Sequence, residues 1–177
     1  TPLPPGYTHV QHTVEPVFDE HSRILNLGCF PSVKSRENQF YYGHPQNRFW
    51  KLMAQLLDVP IPQSIDEKKT MLLTHGLALW DVIASCDIKG SSDSSIKNAV
   101  PADISRILKA ANIQTIIANG GTAFRLYRRY CEPVTGRPAA LCPSTSPANA
   151  AFSLERLSEC WSKFIIWPAR RSPSAVP

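Results

Sequence analysis

Arg23-Ile-Leu-Asn-Leu-Gly-Cys29 is a short apolar run that stops at Gly28 and is followed by Pro31. Such a run, bounded by Gly and Pro, is typical of a buried strand that enters a loop. Thr115-Ile-Ile-Ala-Asn119 is a β-branched run of the same kind, followed by Gly120-Gly121. Further strand-like runs cover 76–83 and 139–142, with helical patterns between them. Because strands alternate with helices, the sequence predicts an α/β sandwich with a mostly parallel sheet.

The helical patterns begin at recognisable caps. Asn47 is a candidate cap for a helix that runs to about residue 56. Ser64-Ile-Asp-Glu67 matches a capping box and predicts a second helix toward Thr74. The sequence predicts three further helices: one that starts at Pro101, one over the basic segment 122–131 and one over 154–165.

A chain of 177 residues is long enough for one domain with a sizeable core and too short for two full ones. Residues 1–20 show little periodicity, and we expect them to form an extended arm. We expect a single domain over 21–166 and a loose tail, rich in Pro, Ser and Arg, over 167–177.

The net charge of +5 favours a polyanionic partner, because Lys and Arg at phosphates release counterions. No apolar run is long enough to span a membrane, and the first residues lack the pattern of a signal peptide. We therefore expect a cytoplasmic protein, associated with the nucleoid through its function, or a nuclear one, and not a secreted one. The five cysteines lack C-x-x-C spacing, which favours free thiols over a metal or redox site.

The first segment that could carry chemistry is Gly28–Arg36, continued by Phe40-Tyr-Tyr-Gly-His-Pro-Gln-Asn-Arg-Phe-Trp50. The polar stretch 31–46 within it is predicted to be a long loop, and long ordered loops are often functional. Aromatic rings beside cations suit a flat ligand next to a phosphate. The alternative, in which the rings are core and Asn47 is only a cap, is equally compatible with these residues.

The second segment is Cys142-Pro-Ser-Thr-Ser-Pro-Ala-Asn149. Small hydroxyl residues between two prolines form a stiff loop that can approach a phosphate closely or enter a minor groove. Most loops of this composition have no such function. The chain has no P-loop, no G-x-G-x-x-G and no G-x-S-x-G motif. Asp81 and Asp93 lie beside turn signals, and we expect both to be solvated.

Together the two segments resemble the uracil-DNA glycosylase superfamily over about residues 23–165. Gly-His-Pro-Gln-Asn47-Arg-Phe-Trp50 resembles the first motif region of the mismatch-specific branch, and the Ser/Pro loop lies where that superfamily has its second motif. The mismatch-specific enzymes carry an Asn where this chain has Phe30. That departure is shared with the branch that acts on deoxyinosine, the hypoxanthine-DNA glycosylases, which the chain resembles most.

The resemblance implies a three-layer α/β/α sandwich around a mostly parallel four-stranded sheet. It also implies base flipping followed by hydrolysis of the N-glycosidic bond of hypoxanthine in DNA, without a lyase step. Asn47 is then the candidate catalytic residue that orients water, with Asn38 as a weaker candidate. The implied base contacts are Phe30, Tyr41, Tyr42 and His44. The implied DNA contacts are Lys34, Arg36, Ser144, Ser146, Pro147, Ala148 and Asn149.

We expect a monomer that binds DNA containing deaminated bases and needs neither a cofactor nor a metal. Three alternatives remain open at this point. One is a uracil or mispaired-thymine glycosylase, because the sequence does not reveal the contacts to the base edge. Another is a DNA-binding module without catalysis, which Phe30 favours. The third is an α/β protein with a nucleotide-like ligand and no affinity for DNA.

Overall fold

The computed structural model describes residues 3–165. Its central sheet has the order β3-β2-β6-β7, and every pair of neighbours is parallel. The strands are β2 (Ile24–Gly28), β3 (Leu77–Asp81), β6 (Thr115–Asn119) and β7 (Ala140–Cys142). The mostly parallel four-stranded sheet predicted above is thus confirmed. Helices lie on both sides of it and complete the α/β/α sandwich.

Each face of the sheet carries its own hydrophobic cluster, because side chains alternate along a strand. Leu25 and Leu27 of β2 point into one cluster, while Ile24 points into the other. Helices α2 (Phe49–Leu57), α3 (Ile65–Thr74) and α7 (Leu154–Trp161) cover the Ile24 side. The opposite side is covered by α4 (Ser105–Ala110) and α5 (Gly121–Leu126), which continues as a π-helical segment, Tyr127–Cys131, and α6 (Glu132–Thr135).

A second, antiparallel sheet has the order β1-β4-β5 and was not predicted. Its strands are β1 (Thr8–Gln11), β4 (Ile83–Ile88) and β5 (Lys97–Pro101). The run 76–83, predicted as one strand, is therefore divided between β3 and β4. Pro101 ends a strand rather than starting a helix, and α4 begins only at Ser105. The exposed, non-alternating sequence of β5 gives no strand signal, which explains the error.

Within the stretch 1–20, which we set apart as an arm, the described residues include β1 and contribute to the core. Val14 and Val17 are buried, and Val17 exchanges two backbone hydrogen bonds with Leu79 at the outer edge of β3. The expected tail, 167–177, lies outside the described residues.

The predicted loop 31–46 contains a helix, α1 (Val33–Asn38), which corrects that prediction. Ser32 caps α1 by accepting a hydrogen bond from the Ser35 N–H, and only Ser35 of the helix is buried, so it has no apolar stripe to reveal it. The Ser64 cap of α3 forms as predicted. No helix among residues 3–165 is long and apolar enough to cross a membrane.

Candidate active site

A cleft of about 290 Å³ opens where β2, β3 and β6 end. Gly28, Asp81 and Asn119 are the last residues of these three strands, and all three line it. In open α/β sheets, ligands bind at the carboxyl ends of the strands. The walls come from the turn after β2, helix α1, the segment before α2, the loop before β5 and the Ser/Pro loop after β7. The lining residues of these walls are Cys29, Phe30, Pro31, Ser32, Ser35, Tyr41, Tyr42, His44, Asn47, Ser91, Asp93, Ser144, Thr145, Ser146, Pro147 and Ala148.

Tyr42 is held in an unusual conformation at the floor of the cleft. Its φ of 52° lies in the left-handed region, which costs a non-glycine residue about 1–3 kcal/mol. The hydroxyl oxygen accepts hydrogen bonds from Asn26 Nδ2 at 2.9 Å and Asn119 Nδ2 at 3.2 Å. One face of the ring stacks on Phe49 at 4.3 Å, and the residue lines the cleft.

Burial and the charge of Asp81 raise the pKa of Tyr42 above its ordinary value, against the lowering effect of the two amide hydrogen bonds. The phenol is therefore neutral at physiological pH. The hydroxyl forms no hydrogen bond as a donor with any of the described residues, so its proton can be donated to a ligand.

Asn47 lies at the start of α2 and is fixed by its oxygen. Oδ1 accepts hydrogen bonds from the Phe49 N–H at 2.9 Å and from Thr145 Oγ1 at 2.9 Å. A carboxamide oxygen has two lone pairs, so both are engaged. The side chain can then act on a ligand only through the N–H groups of Nδ2. It can hold a water or a base acceptor, but it cannot take a proton.

Thr145 connects this residue to the sheet. It is fully buried, its backbone N–H donates to Asn119 Oδ1 at 3.1 Å, and its hydroxyl accepts from Asn119 Nδ2 at 3.1 Å. Asn26, Tyr42, Asn119, Thr145 and Asn47 thus form one continuous hydrogen-bonded network, which holds the floor of the cleft rigid.

Arg48 fastens the Ser/Pro loop to the start of α2. Its guanidinium donates to three carbonyl groups of that loop and the turn after it: those of Ser146 at 2.8 Å, Asn149 at 3.1 Å and Phe152. Its backbone N–H donates to the Thr145 carbonyl at 3.0 Å. The two motif segments therefore form one rigid rim, although about a hundred residues separate them along the chain.

Asp81 is the main residue that the sequence interpretation placed wrongly. It is 3% exposed and lines the cleft, whereas we expected a solvated residue. Its Oδ2 accepts a hydrogen bond of 2.8 Å from His12 Nε2, and both side chains are about 5% exposed or less. Its place near the end of the predicted strand 76–83 was the signal available in the sequence.

Gly28 makes room for this carboxylate. A Cβ at position 28 would lie 2.4 Å from Asp81 Oδ1 and 3.1 Å from the Tyr42 hydroxyl oxygen. A side chain at position 28 would therefore have to displace the Asp81 carboxylate.

Asp93 lies on the exposed loop before β5 and also reaches the cleft. Burial of its carboxyl group and the nearby charge of Asp81 raise its pKa to about 7, while a hydrogen bond with Cys29 lowers it. Near neutral pH the cleft therefore contains one buried carboxyl group paired with a histidine and one that is partly protonated.

The structure distributes the other predicted site residues between the cleft and its surroundings. Phe30 lines the cleft and packs edge-on against His12 at 5.9 Å. Tyr41 is 2% exposed and its hydroxyl donates to the backbone carbonyl groups of Val14 and Glu15, so it is mainly a packing residue. His44 is exposed at the rim, and its Nδ1 accepts from the Gln46 N–H.

The predicted DNA contacts lie on two sides of the opening. Lys34 and Arg36 belong to α1; Lys34 is exposed, whereas the Arg36 guanidinium donates to the Gly90 carbonyl and lies over the Phe30 ring. Ser144, Ser146, Pro147 and Ala148 line the cleft from the Ser/Pro loop. Asn149 Nδ2 donates to the Ser144 carbonyl and helps to close that loop.

This arrangement suits the hydrolysis of a bond to a flat heterocycle. The amides and the phenol can donate to a leaving base, an aromatic face can stack on it, and a carboxylate lies beside them. The model of the uracil DNA glycosylase superfamily matches residues 15–167. The chain belongs to this superfamily. The match includes both motif segments and every residue of the cleft.

Relatives in the superfamily are similar in sequence to this chain over more than half of its length. A protein of Methanosarcina acetivorans named hypoxanthine DNA glycosylase is 34% identical over 144 residues, which are 81% of this chain and 90% of the relative. One of the same name from Methanosarcina barkeri is 36% identical over 59% of this chain and 68% of the relative. A solution NMR structure from M. acetivorans, of a protein assigned to the uracil DNA glycosylases, superimposes with a TM-score of 0.74 at 32% identity, covering 86% of this chain and 94% of that one.

Proposed function

We propose that this superfamily member is a monofunctional DNA glycosylase that removes hypoxanthine from deoxyinosine in DNA and so initiates base excision repair. The observation that carries the proposal is the 34% identity, over 81% of the chain, to a relative named hypoxanthine DNA glycosylase. The site supports it, because a cleft lined by neutral amide and phenol donors suits a purine whose ring nitrogens and O6 accept hydrogen bonds.

The reaction begins with flipping of the nucleotide into the cleft. The rigid Ser/Pro loop, held by Arg48, presses on the DNA backbone through Ser144 and Ser146, and Pro147, Ala148 and Asn149 enter the groove that the base leaves. Lys34 and Arg36 contact phosphates on the other side of the opening. The flipped base then stacks on the ring of Tyr42, with Phe30 and His44 at its edges. The enzyme acts on the DNA as a monomer.

Hydrolysis follows through a transition state that resembles an oxocarbenium ion. Donors are most valuable where negative charge develops, which is on the departing purine. The Tyr42 hydroxyl and Asn47 Nδ2 are the donors of the cleft floor that have hydrogens to spare. Asn47 holds the attacking water or the purine through Nδ2, since its oxygen is engaged by Phe49 and Thr145.

A second candidate function is excision of uracil or of mispaired thymine. It is favoured by the fold neighbour assigned to the uracil DNA glycosylases. The two candidate functions make the same predictions except for the base that is released.

The test is strand cleavage by alkali after incubation with labelled duplexes that carry deoxyinosine, deoxyuridine or a mispaired thymidine. We expect cleavage of the deoxyinosine duplex, with the rate reduced about 10²-fold or more by Asn47→Ala. Asn112→Ala, a change of the same type at an exposed position, is the control and should keep the wild-type rate. Cleavage of the deoxyuridine duplex alone would favour the second candidate. Binding without cleavage of any duplex would reject both.

A further inference from the structure

A second groove adjoins the cleft at the Ser/Pro loop. It has a volume of about 780 Å³ and shares one wall with the cleft, which consists of Ser91, Asp93, Ser144, Ser146 and Ala148. Thr122 of α5 and Leu141 of β7 also line it. Because the two spaces adjoin each other, a DNA strand whose flipped base lies in the cleft can extend into this groove.

The hydroxyl groups of the shared wall keep a hydrogen for a ligand. Ser91 Oγ accepts a hydrogen bond of 2.8 Å from the Val33 N–H. The hydroxyl oxygens of Ser144 and Ser146 likewise accept bonds of 3.1 Å from backbone N–H groups. A hydroxyl group that accepts in this way can still donate its own hydrogen to a phosphate oxygen. Asp93, the only carboxyl group along this groove in the described part of the chain, is partly neutral near pH 7, because burial raises its pKa to about 7.

Arg125 brings a positive charge to this groove. Its side chain is exposed, and Nη2 donates to Thr122 Oγ1 at 3.3 Å. The charge also reaches the cleft: burial raises the pKa of the Cys29 thiol, and the Arg125 guanidinium acts in the opposite direction. A guanidinium group has five N–H donors, and the others of Arg125 form no hydrogen bond with a described residue. They are therefore available to a ligand.

Arg128 and Arg129 continue the positive charge along the same helical stretch. Both are exposed and belong to the π-helical segment, Tyr127–Cys131. The Arg128 guanidinium lies over the Phe124 ring at 5.7 Å, and that of Arg129 lies over the Tyr130 ring at 5.1 Å. Stacking on a ring orients a guanidinium group without using its N–H donors.

These three residues, the arginine surface, differ from the other arginines among residues 3–165. Each of the others donates to a backbone carbonyl group or pairs with a carboxylate: Arg23, Arg36, Arg48, Arg106, Arg137 and Arg156. The arginine surface forms no ion pair with a described carboxylate. Like charges in neighbouring turns destabilise a helix, and a bound polyanion would remove that repulsion.

We infer that the arginine surface binds phosphate groups of the DNA strand that leaves the cleft through the second groove. The inference rests on the proposed glycosylase function and extends the DNA contacts beyond the Ser/Pro loop and α1. On the α1 side, Lys34 lies 3.9 Å from Glu37, and the Arg36 guanidinium is bound to the Gly90 carbonyl, so less free positive charge is available there. The planar fork of arginine matches the oxygens of a phosphate group, which makes this surface the better site.

The test measures equilibrium binding of the full chain to labelled duplexes over a range of salt concentrations. Each phosphate that a protein neutralises adds about 0.9 to the slope with which log K falls against log salt concentration. We expect Arg125→Gln and Arg129→Gln each to lower the slope by about that amount. The triple variant, with Gln at all three positions, should bind at least about tenfold more weakly at about 50 mM salt. The loss should be equal with and without deoxyinosine, because phosphate contacts do not read the base.

Lys109→Gln is the matched control. It removes one exposed positive charge from α4, which leads to the amino end of β6, at the opposite end of the sheet from the cleft. This variant should keep the wild-type slope. A triple variant with Lys at positions 125, 128 and 129 retains the charges and should retain most of the slope.

Slopes and dissociation constants of the Arg→Gln variants equal to those of Lys109→Gln would overturn the inference. A loss confined to the deoxyinosine duplex would also overturn it, because it would indicate a contact with the base. A wild-type protein that binds duplex DNA but releases no hypoxanthine would reject the proposed function, and the salt slopes would still decide this inference. Absence of any DNA binding by the wild-type protein would reject both.

Discussion

Gly28 shows how one residue without a side chain can determine the geometry of the cleft. A methyl group at this position would meet Asp81 Oδ1 at 2.4 Å, well inside van der Waals contact. We predict that Gly28→Ala displaces the carboxylate, reduces excision at least about tenfold, and lowers the free energy of unfolding by about 1–3 kcal/mol. Single-turnover kinetics and urea unfolding measure the two effects.

Gly121→Ala is the control for this prediction. A Cβ at position 121 meets only the end of the flexible Arg125 side chain, at 3.3 Å. It should leave both the excision rate and the unfolding free energy close to their wild-type values. Full activity of Gly28→Ala would mean that the approach of Asp81 to β2 does not matter for the reaction.

Asp93 gives the protein a pH-dependent stability of predictable sign. Its pKa of about 7 in the folded protein lies above the ordinary value, so the folded state holds a proton that the unfolded chain has released. This contribution is fully present below about pH 4 and is lost as the pH rises through 7. Because the residue lies on an exposed loop, solvent screens much of the effect.

We predict that Asp93→Asn is more stable than the wild-type protein at pH 8 and of equal stability at pH 4. Thermal unfolding at the two pH values measures the difference. A variant that is less stable than wild type at pH 8 would contradict the assigned direction of the pKa shift.

The residue types of the site were largely predictable, but their roles were not. Tyr42 and Asn47 line the cleft, as the first motif segment indicated. The sequence could not show that the Asn47 oxygen is already engaged, since its partner Thr145 lies 98 residues away along the chain. Nor could it show that His12 meets Asp81, from a segment that carries no strand signal.

At the level of elements, the site depends on how α2 and the Ser/Pro loop are joined. Arg48 supplies that connection through three hydrogen bonds to backbone carbonyl groups. We predict that Arg48→Met lowers the free energy of unfolding by about 2–3 kcal/mol, because each bond from a charged donor contributes about 1.5–3 kcal/mol and the three are not additive. DNA affinity should fall as well, since the loop loses its fixed shape.

Arg106→Met is the control for the Arg48→Met prediction. Arg106 forms an exposed ion pair with Glu15 at 3.5 Å, and exposed pairs contribute about 0–1 kcal/mol. Urea unfolding and salt-dependent gel shifts compare the two variants. Equal effects of the two changes on stability and on DNA affinity would reject the role assigned to Arg48.

Elements that form the core were predictable from the sequence, and elements at the surface were not. The buried strands β2 and β6 and the capped helix α3 each carry a clear apolar run or cap. The strands β1 and β5 are mostly exposed and are formed by pairing with β4, which local patterns do not encode. The second sheet nevertheless contributes to the site, because the chain that leaves β1 brings His12 to Asp81.

At the scale of the whole molecule, the parallel sheet gathers three strand ends at one opening, and the loop between β4 and β5 and the Ser/Pro loop border it. Most of the protein supports a small group of neutral donors and one buried carboxylate. The net charge of +5 agrees with a polyanionic substrate. The chemistry that this arrangement favours is attack of water on a sugar carbon with a purine as leaving group.

The most direct test of that claim is to incubate the protein with a deoxyinosine duplex, with and without borohydride, and to analyse both products by mass spectrometry. We predict free hypoxanthine and an intact abasic strand, with no protein attached to the DNA in either reaction. Covalent capture of the protein on the DNA by borohydride, or strand breakage without alkali, would contradict hydrolysis by water. Absence of free hypoxanthine would contradict the proposed function itself.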